Sequence, residues 1–178
     1  MTGLAGGEIL LLSGSPGSGK TTSAEALAHL PGSPKVHLHS DDFWGYIKQG
    51  KIDPWLPESD RQNHMIRDIV ADVAGHYARS GYTVIVDGVI RPWWLPAFMS
   101  LGVPLHYIVL RTSVAEAVAR CKARGGDSLT DPVVVSALHG QFADLEAFET
   151  HVLTVGGLDK DETVQRILDA VSSGGFRL

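Results

Sequence analysis

Cysteine is almost absent from the chain. Cys121 is the only one, so no intrachain disulfide can form, which suits a reducing compartment and leaves the fold to stand on its apolar core. Long apolar runs are also missing, and the opening MTGLAGGEILLLSG has no positive region ahead of its apolar residues. Neither a membrane span nor a secretory signal is expected. There is no basic block either. With a formal net charge of −5, a broad nucleic-acid surface, which needs clustered Lys and Arg to displace counterions, is not expected. No repeat, low-complexity tract or linker-like shift in composition divides the 178 residues, a length that suits one domain with a sizeable core. The expectation is a single cytoplasmic domain over residues 1–178, monomeric or homodimeric, with only MTGLAGG and SSGGFRL loose at the ends.

What is present is an alternation. Apolar runs suited to buried parallel strands recur at Glu8–Ser13, Val36–Ser40, Thr83–Asp87, Leu105–Leu110 and His151–Val155. Helical patterns fill the gaps. Thr21–Leu30 is closed by Pro31, and Asp60–Arg79 carries Ile66, Ile69, Val70, Val73 and Tyr77 at helical spacing, with Ser59 and Gln62 as a capping box. Further helices are predicted over Trp93–Leu101, over Val114–Arg124 behind a Ser113–Glu116 capping box, over Pro132–Glu149 with Asp131 as N-cap, and over Asp161–Ser172. Strands alternating with helices of this length imply right-handed βαβ crossovers and an α/β three-layer αβα sandwich. Ligands then gather at the carboxyl ends of the strands.

The sharpest motif is GSPGSGKT. Gly14, Ser15, Pro16, Gly17, Ser18, Gly19, Lys20 and Thr21 satisfy G-x-x-x-x-G-K-[ST] between a predicted strand and a predicted helix, the context the motif requires. Glycines let the backbone curl its N–H groups toward phosphate oxygens, and the following helix offers its positive end. Lys20 is expected on the β- and γ-phosphates and the Thr21 hydroxyl on Mg²⁺, with Thr22 beside the nucleotide but off the metal. A mononucleotide is implied rather than a dinucleotide.

Acids and arginines follow at the ends of later strands. VHLHSDDFW closes on Asp41 and Asp42. A kinase acting on a hydroxyl needs a carboxylate facing the acceptor, though the same pair could cap the turn DFWGYI. His37 and His39 share a face and read as sheet residues beneath a helix, since no third ligand follows at metal-site spacing. TVIVDG ends a buried strand in Asp87, which either holds Mg²⁺ through water, polarises the acceptor, or simply forms an Asp-Gly turn. Arg120 and Arg124 stand four apart before GGDSLTDP. They either flank an anion or, for Arg120, pair with Glu116 one turn below. Arg91 and Arg111 face the predicted crevice as anion-binding or ordinary surface residues. The stretch GYIKQGKIDPWLPESDRQNH is irregular, and residues 43–64 are read as the acceptor-binding region. There Lys48, Arg61, Gln62 and His64 are candidate donors, and Trp44, Trp55, Trp93 and Trp94 possible apolar walls.

Taken together these motifs resemble the small P-loop kinases, a group that includes shikimate kinase, gluconate kinase, adenylylsulfate kinase, chloramphenicol phosphotransferase and the nucleoside monophosphate kinases. The resemblance covers most of the chain in element order. It implies a P-loop NTPase fold with a five-stranded parallel sheet in the order 2-3-1-4-5, and ATP with Mg²⁺. It further implies Asp41 as base, with Asp42 as runner-up, and an arginine-bearing lid near residues 125–131 that brings Arg120 and Arg124 to the transferred charge. Beyond the shared acid, the acceptor-binding pattern of shikimate or gluconate kinase is missing, as is the arginine arrangement of a nucleoside monophosphate kinase. A GTPase switch is excluded because no N-K-x-D motif is present. The expected function is an ATP-dependent phosphotransferase moving the γ-phosphate to a hydroxyl of a small metabolite, contacted by Asp41, Asp42, Arg61, Asp87 and Arg91. A nucleoside monophosphate kinase and a nonenzymatic ATP-binding module are the alternatives.

Overall fold

Each apolar run becomes a parallel strand: β1 Ile9–Gly14, β2 Lys35–His39, β3 Thr83–Gly88, β4 Leu105–Arg111 and β5 Val152–Thr154. The computed structural model describes residues 4–125 and 130–178, and the strands form one sheet in the order β2-β3-β1-β4-β5. This is the order that the resemblance to small P-loop kinases implies. Around the sheet run α1 Lys20–Ala28, α2 Asp41–Gly45, α3 Asp60–Arg79, α4 Leu95–Met99, α5 Val114–Arg124, α6 Pro132–Gly140 and α7 Lys160–Ser173.

Strand alternation splits the core into two layers. Ile9, Leu11, Val84, Val86, Tyr107 and Val109 pack against α3 and α4 through Ile66, Val70, Ala74 and Phe98. The opposite-facing Leu10, Leu12, Ile85, Ile108 and Leu110 meet α1 and α7 through Ala24, Leu27, Ile167 and Val171. Both faces of the central strands are therefore covered, which is why they read as unbroken apolar runs. Among the described residues no helix is long and apolar enough to cross a membrane.

Several local expectations are corrected. The buried stripe of α3 is Ile66, Val70, Ala71, Ala74, Gly75 and Ala78, while Ile69 and Tyr77 are exposed. Small residues let α3 lie close on the sheet, so that the larger side chains turn outward. Ser59 does not cap α3; its hydroxyl donates to the carbonyls of Pro54 and Leu56. Ser113 accepts from the Glu116 amide, but the Glu116 carboxylate turns to Thr112 and Arg120 instead of closing a capping box. The helix expected over Pro132–Glu149 stops at Gly140, and a separate 3₁₀ turn covers Glu146–His151. Phe142 and Leu145 leave the helix line to enter the core. Pro92–Trp94 is likewise a 3₁₀ turn, with α4 following it. The last helix, expected over Asp161–Ser172, opens one residue earlier at Lys160, on a full capping box between Asp159 and Glu162.

Candidate active site

The phosphate loop leaves the carboxyl end of β1 and returns as the first turn of α1. A Cβ on Gly17, whose φ is +79°, would come 2.3 Å from the Ala117 carbonyl oxygen, so only glycine lets the loop pass beneath α5. Lys20 is buried and donates to the Ser15 carbonyl at 3.2 Å. Burial lowers its ammonium pKa, against the opposing pull of Asp41 and Asp87. Ser18 Oγ is buried without a hydrogen-bond partner, an orphan donor inside a loop of curled amides. A polyphosphate supplies the acceptor oxygens that such a group needs, so the residues present fit the nucleotide expected from the motif. Pro16 and Thr21 face the adjoining cavity, and Thr22 is exposed.

Asp87 ends the buried apolar run of β3, and parallel register sets His39 of β2 directly beside it. Alternation puts His37 on the same face, under α1. His37 Nε2 lies 2.6 Å from Asp87 Oδ1, and His39 Nδ1 lies 3.1 Å from each carboxylate oxygen. Thr21 donates its hydroxyl to Asp87 Oδ2 at 2.6 Å, and Glu25 holds the far side of His37 at 2.9 Å. Burial pushes the Asp87 carboxyl pKa up, but the bonds from His37, His39 and Thr21 outweigh it and hold the group well below the usual carboxylate range. The same bonds raise both imidazoles, most strongly through Asp87. Among the described residues no group of three or more His, Cys, Asp or Glu is arranged to hold a metal.

Asp87 is fully buried and does not border the cavity. This corrects the expectation that it contacts an acceptor, because its oxygens are already engaged. Its bond from Thr21 fixes the direction of that hydroxyl. At Gly88 a Cβ would stand 1.8 Å from Ser40 Oγ, so a glycine is what allows the ends of β2 and β3 to close up here.

A cavity of about 920 Å³ opens beside the loop, bordered by Lys20, Thr21, His39 and Asp41 at one end. Asp41 Oδ2 lies 3.8 Å from His39 Nε2. Asp42, although adjacent in sequence, is exposed and off the cavity wall. Arg124 borders the same space. Arg120 does not; it pairs with Glu116 and reaches the Gly17 carbonyl only at 3.5 Å. Glu116 is itself held below its ordinary pKa, first by the Thr112 hydroxyl and then by the Gly157 amide and Arg120. Of the expected lid near residues 125–131, positions 126–129 lie outside the described residues, while Thr130 and Asp131 border the cavity.

The far wall is the irregular stretch after α2. Lys51, Asp53, Trp55 and Leu56 border the cavity, as do Trp44, Trp93 and Trp94, so all four tryptophans of the chain meet there. The first turn of α3 fastens this stretch. Asn63 donates to the Pro54 carbonyl at 2.9 Å and accepts from Trp44 Nε1 at 3.1 Å, and Gln62 accepts from the Ile52 amide at 3.0 Å. Gln62 therefore holds protein rather than facing the cavity, Lys48 bonds the Gly45 carbonyl, and His64 stacks on Trp93 at 4.8 Å. Arg61 is exposed and off the wall.

Arg111, expected in the crevice, instead pairs with Glu149 and holds the Phe142 carbonyl. Arg91 does border the cavity. Its backbone is set by a clamp the sequence reading missed: Ser13 Oγ and Tyr107 Oη both donate to the Ile90 carbonyl, at 2.6 and 2.8 Å, and the Ile90 amide returns a bond to Ser13. Ser13 immediately precedes the motif glycine, which is the signal that could have drawn attention to it.

A family model described as an AAA domain matches residues 9–147. Among solved structures, the tunicamycin resistance protein of Deinococcus radiodurans is 21% identical with a TM-score of 0.69, the alignment covering 92% of this chain and 95% of that one. A gluconokinase from Sinorhizobium meliloti 1021 is 18% identical with a TM-score of 0.63, covering 93% and 92%. A chain of the Pnkp1/Rnl/Hen1 RNA repair complex is 20% identical with a TM-score of 0.60; the match takes in 78% of this chain but only 47% of that longer one. Among curated proteins none matches significantly.

Proposed function

From the premise that the chain belongs to the AAA domain family and has the fold of the small P-loop kinases, we propose that it is an ATP-dependent phosphotransferase acting on a hydroxyl of a small molecule. The observation that supports this reading is that Lys20, Thr21, Asp41 and Arg124 border one cavity together with the fastened stretch after α2. A phosphate donor on the loop and an alcohol in the cavity would meet there.

In this reading Asp41 orients the acceptor hydroxyl and takes its proton as the oxygen–phosphorus bond forms. The bond from the γ-phosphorus to the bridging oxygen breaks, and ADP leaves with that electron pair. Lys20 and the loop amides bind the charged phosphates, and Arg124 stands at the same end of the cavity. Mg²⁺, held by Thr21, would neutralise part of the phosphate charge. Asp87 contributes through Thr21, whose hydroxyl it orients. Arg91 and the tryptophans form the acceptor side.

The test is acceptor-dependent ADP release with ATP and Mg²⁺ across sugars, sugar acids, nucleosides and nucleotides. Asp41→Asn is expected to lower turnover about 10²- to 10⁴-fold with ATP binding retained. ATP binding without any acceptor-dependent ADP would favour a nonenzymatic module instead.

A further inference from the structure

Resting on the phosphotransfer reading above, we infer that His39 is a positioning residue for the base: with Nδ1 anchored on Asp87, its Nε2 holds one oxygen of Asp41 so that the other faces the acceptor hydroxyl. Asp41 needs such a partner. Its side chain is 56% exposed, and among the described residues it makes no hydrogen bond and only one ion pair, with His39. A carboxylate free to turn spends little time in the geometry that proton transfer requires. Left loose, it would also compete with the phosphates for Lys20, whose ammonium already feels its charge. His39 borders the cavity beside both Lys20 and Asp41. It closes β2, and Asp41 opens α2 two residues later.

The imidazole is aimed from behind. Its Nδ1 lies 3.1 Å from each oxygen of the fully buried Asp87. The Ser40 amide donates to the Asp87 carbonyl at 2.9 Å, which ties the backbone between His39 and Asp41 to the same residue. Because the ring is rigid, fixing Nδ1 sends Nε2 away from Asp87, and it lies 3.8 Å from Asp41 Oδ2. A ring set between two carboxylates keeps a hydrogen on both nitrogens. The remaining gap is closed by a turn of the Asp41 side chain, in the way that active-site hydrogen bonds tighten once substrates are bound. His37 shows what sets His39 apart. It shares the same face of β2, but its two nitrogens are taken by Asp87 and Glu25, and it does not border the cavity. In this arrangement the proton leaving the acceptor hydroxyl passes to the free oxygen of Asp41, and His39 neither gives nor takes one.

Asparagine reproduces the Nδ1 position of histidine and glutamine that of Nε2, so two variants separate the anchor from the positioning contact. Turnover is read as ADP released with ATP and Mg²⁺, with acceptors from the panel above and with water alone. His39→Asn is expected to lower kcat about 10²-fold with the KM for ATP unchanged, and His39→Gln to recover about tenfold of that loss. Added to Asp41→Asn, the His39→Asn change should cost nothing further. A readout without catalysis is nitrogen NMR of nucleotide-free protein labelled on its histidine rings. Asp41→Ala should move the His39 Nε2 signal and leave those of His37 in place, while Asp53→Ala, at another acid bordering the cavity, moves neither. Wild-type kcat in His39→Asn, equal losses in the asparagine and glutamine variants, additive losses in the double variant, or a His39 Nε2 signal indifferent to Asp41→Ala would each overturn the inference. Failure of the phosphotransfer reading would show separately, as no ADP from any acceptor while the His39 signal still answers to Asp41.

Discussion

Asp87 is ionised at zero exposure because three donors surround it, two of them histidines from the neighbouring strand. Removing one donor leaves a buried charge short of a partner, which costs more than the bond's net worth. His37→Ala is expected to lower unfolding free energy by about 2 kcal/mol, read from urea midpoints. An unchanged midpoint would show that His37 is dispensable to the buried carboxylate. At this scale the motif residues were legible in the sequence, since Gly14, Lys20 and Thr21 carry their spacing with them. The destination of Asp87 was not. Its engagement with His37 and His39 depends on the β2–β3 register, a long-range fact that no local pattern encodes. The histidines were nonetheless read correctly as sheet residues under a helix.

The far wall of the cavity is built by elements leaning on one another. Residues 46–56 contain no helix or strand, and the first turn of α3 supplies the bonds that a regular structure would otherwise supply, through Gln62 and Asn63. Asn63→Ala removes the bonds to the Pro54 carbonyl, the Trp44 indole and the Ser59 hydroxyl, and frees Trp55 and Leu56 to move. The cost of reordering the stretch then falls on acceptor binding. The expected outcome is a three- to tenfold rise in acceptor KM, roughly, with the KM for ATP unchanged; a parallel rise in both would place the loosening elsewhere. Elements whose ends carry chemical stops were read well, as with α3 ending at Arg79 and α5 spanning Val114–Arg124. The segment after α6 was not. Its helix-compatible pattern is overridden by the Arg111 guanidinium on the Phe142 carbonyl and by the burial of Phe142 and Leu145, contacts made by residues distant in sequence.

Over the whole molecule, protonation draws stability in opposite directions. His106 is buried near the start of β4, its Nε2 3.5 Å from Glu8 Oε2 but outside hydrogen-bond geometry. Burial lowers its pKa from 6.5, with Glu8 pulling the other way and Arg177 adding to the fall. Its stabilising contribution is therefore present above pH 6.5 and lost as pH falls through the depressed folded value. The raised His37 and His39 behave oppositely: their contribution is present below pH 6.5 and lost as pH rises through their folded values. His106→Gln should flatten the fall in melting temperature between neutral and mildly acidic pH, and an unaltered slope would assign that fall to other groups. The layer order of the sheet was implied by resemblance to a known family, since strand order is a property of the complete chain and not of any segment. One bond has a wider consequence. Ser13 joins the strand that bears the phosphate loop to the turn that bears Arg91, so the root of the loop and that turn keep the separation of two paired strands, about 4.8 Å. Side chains on either side can swing, but the two backbones that carry them cannot drift apart without breaking the pair of bonds at Ser13.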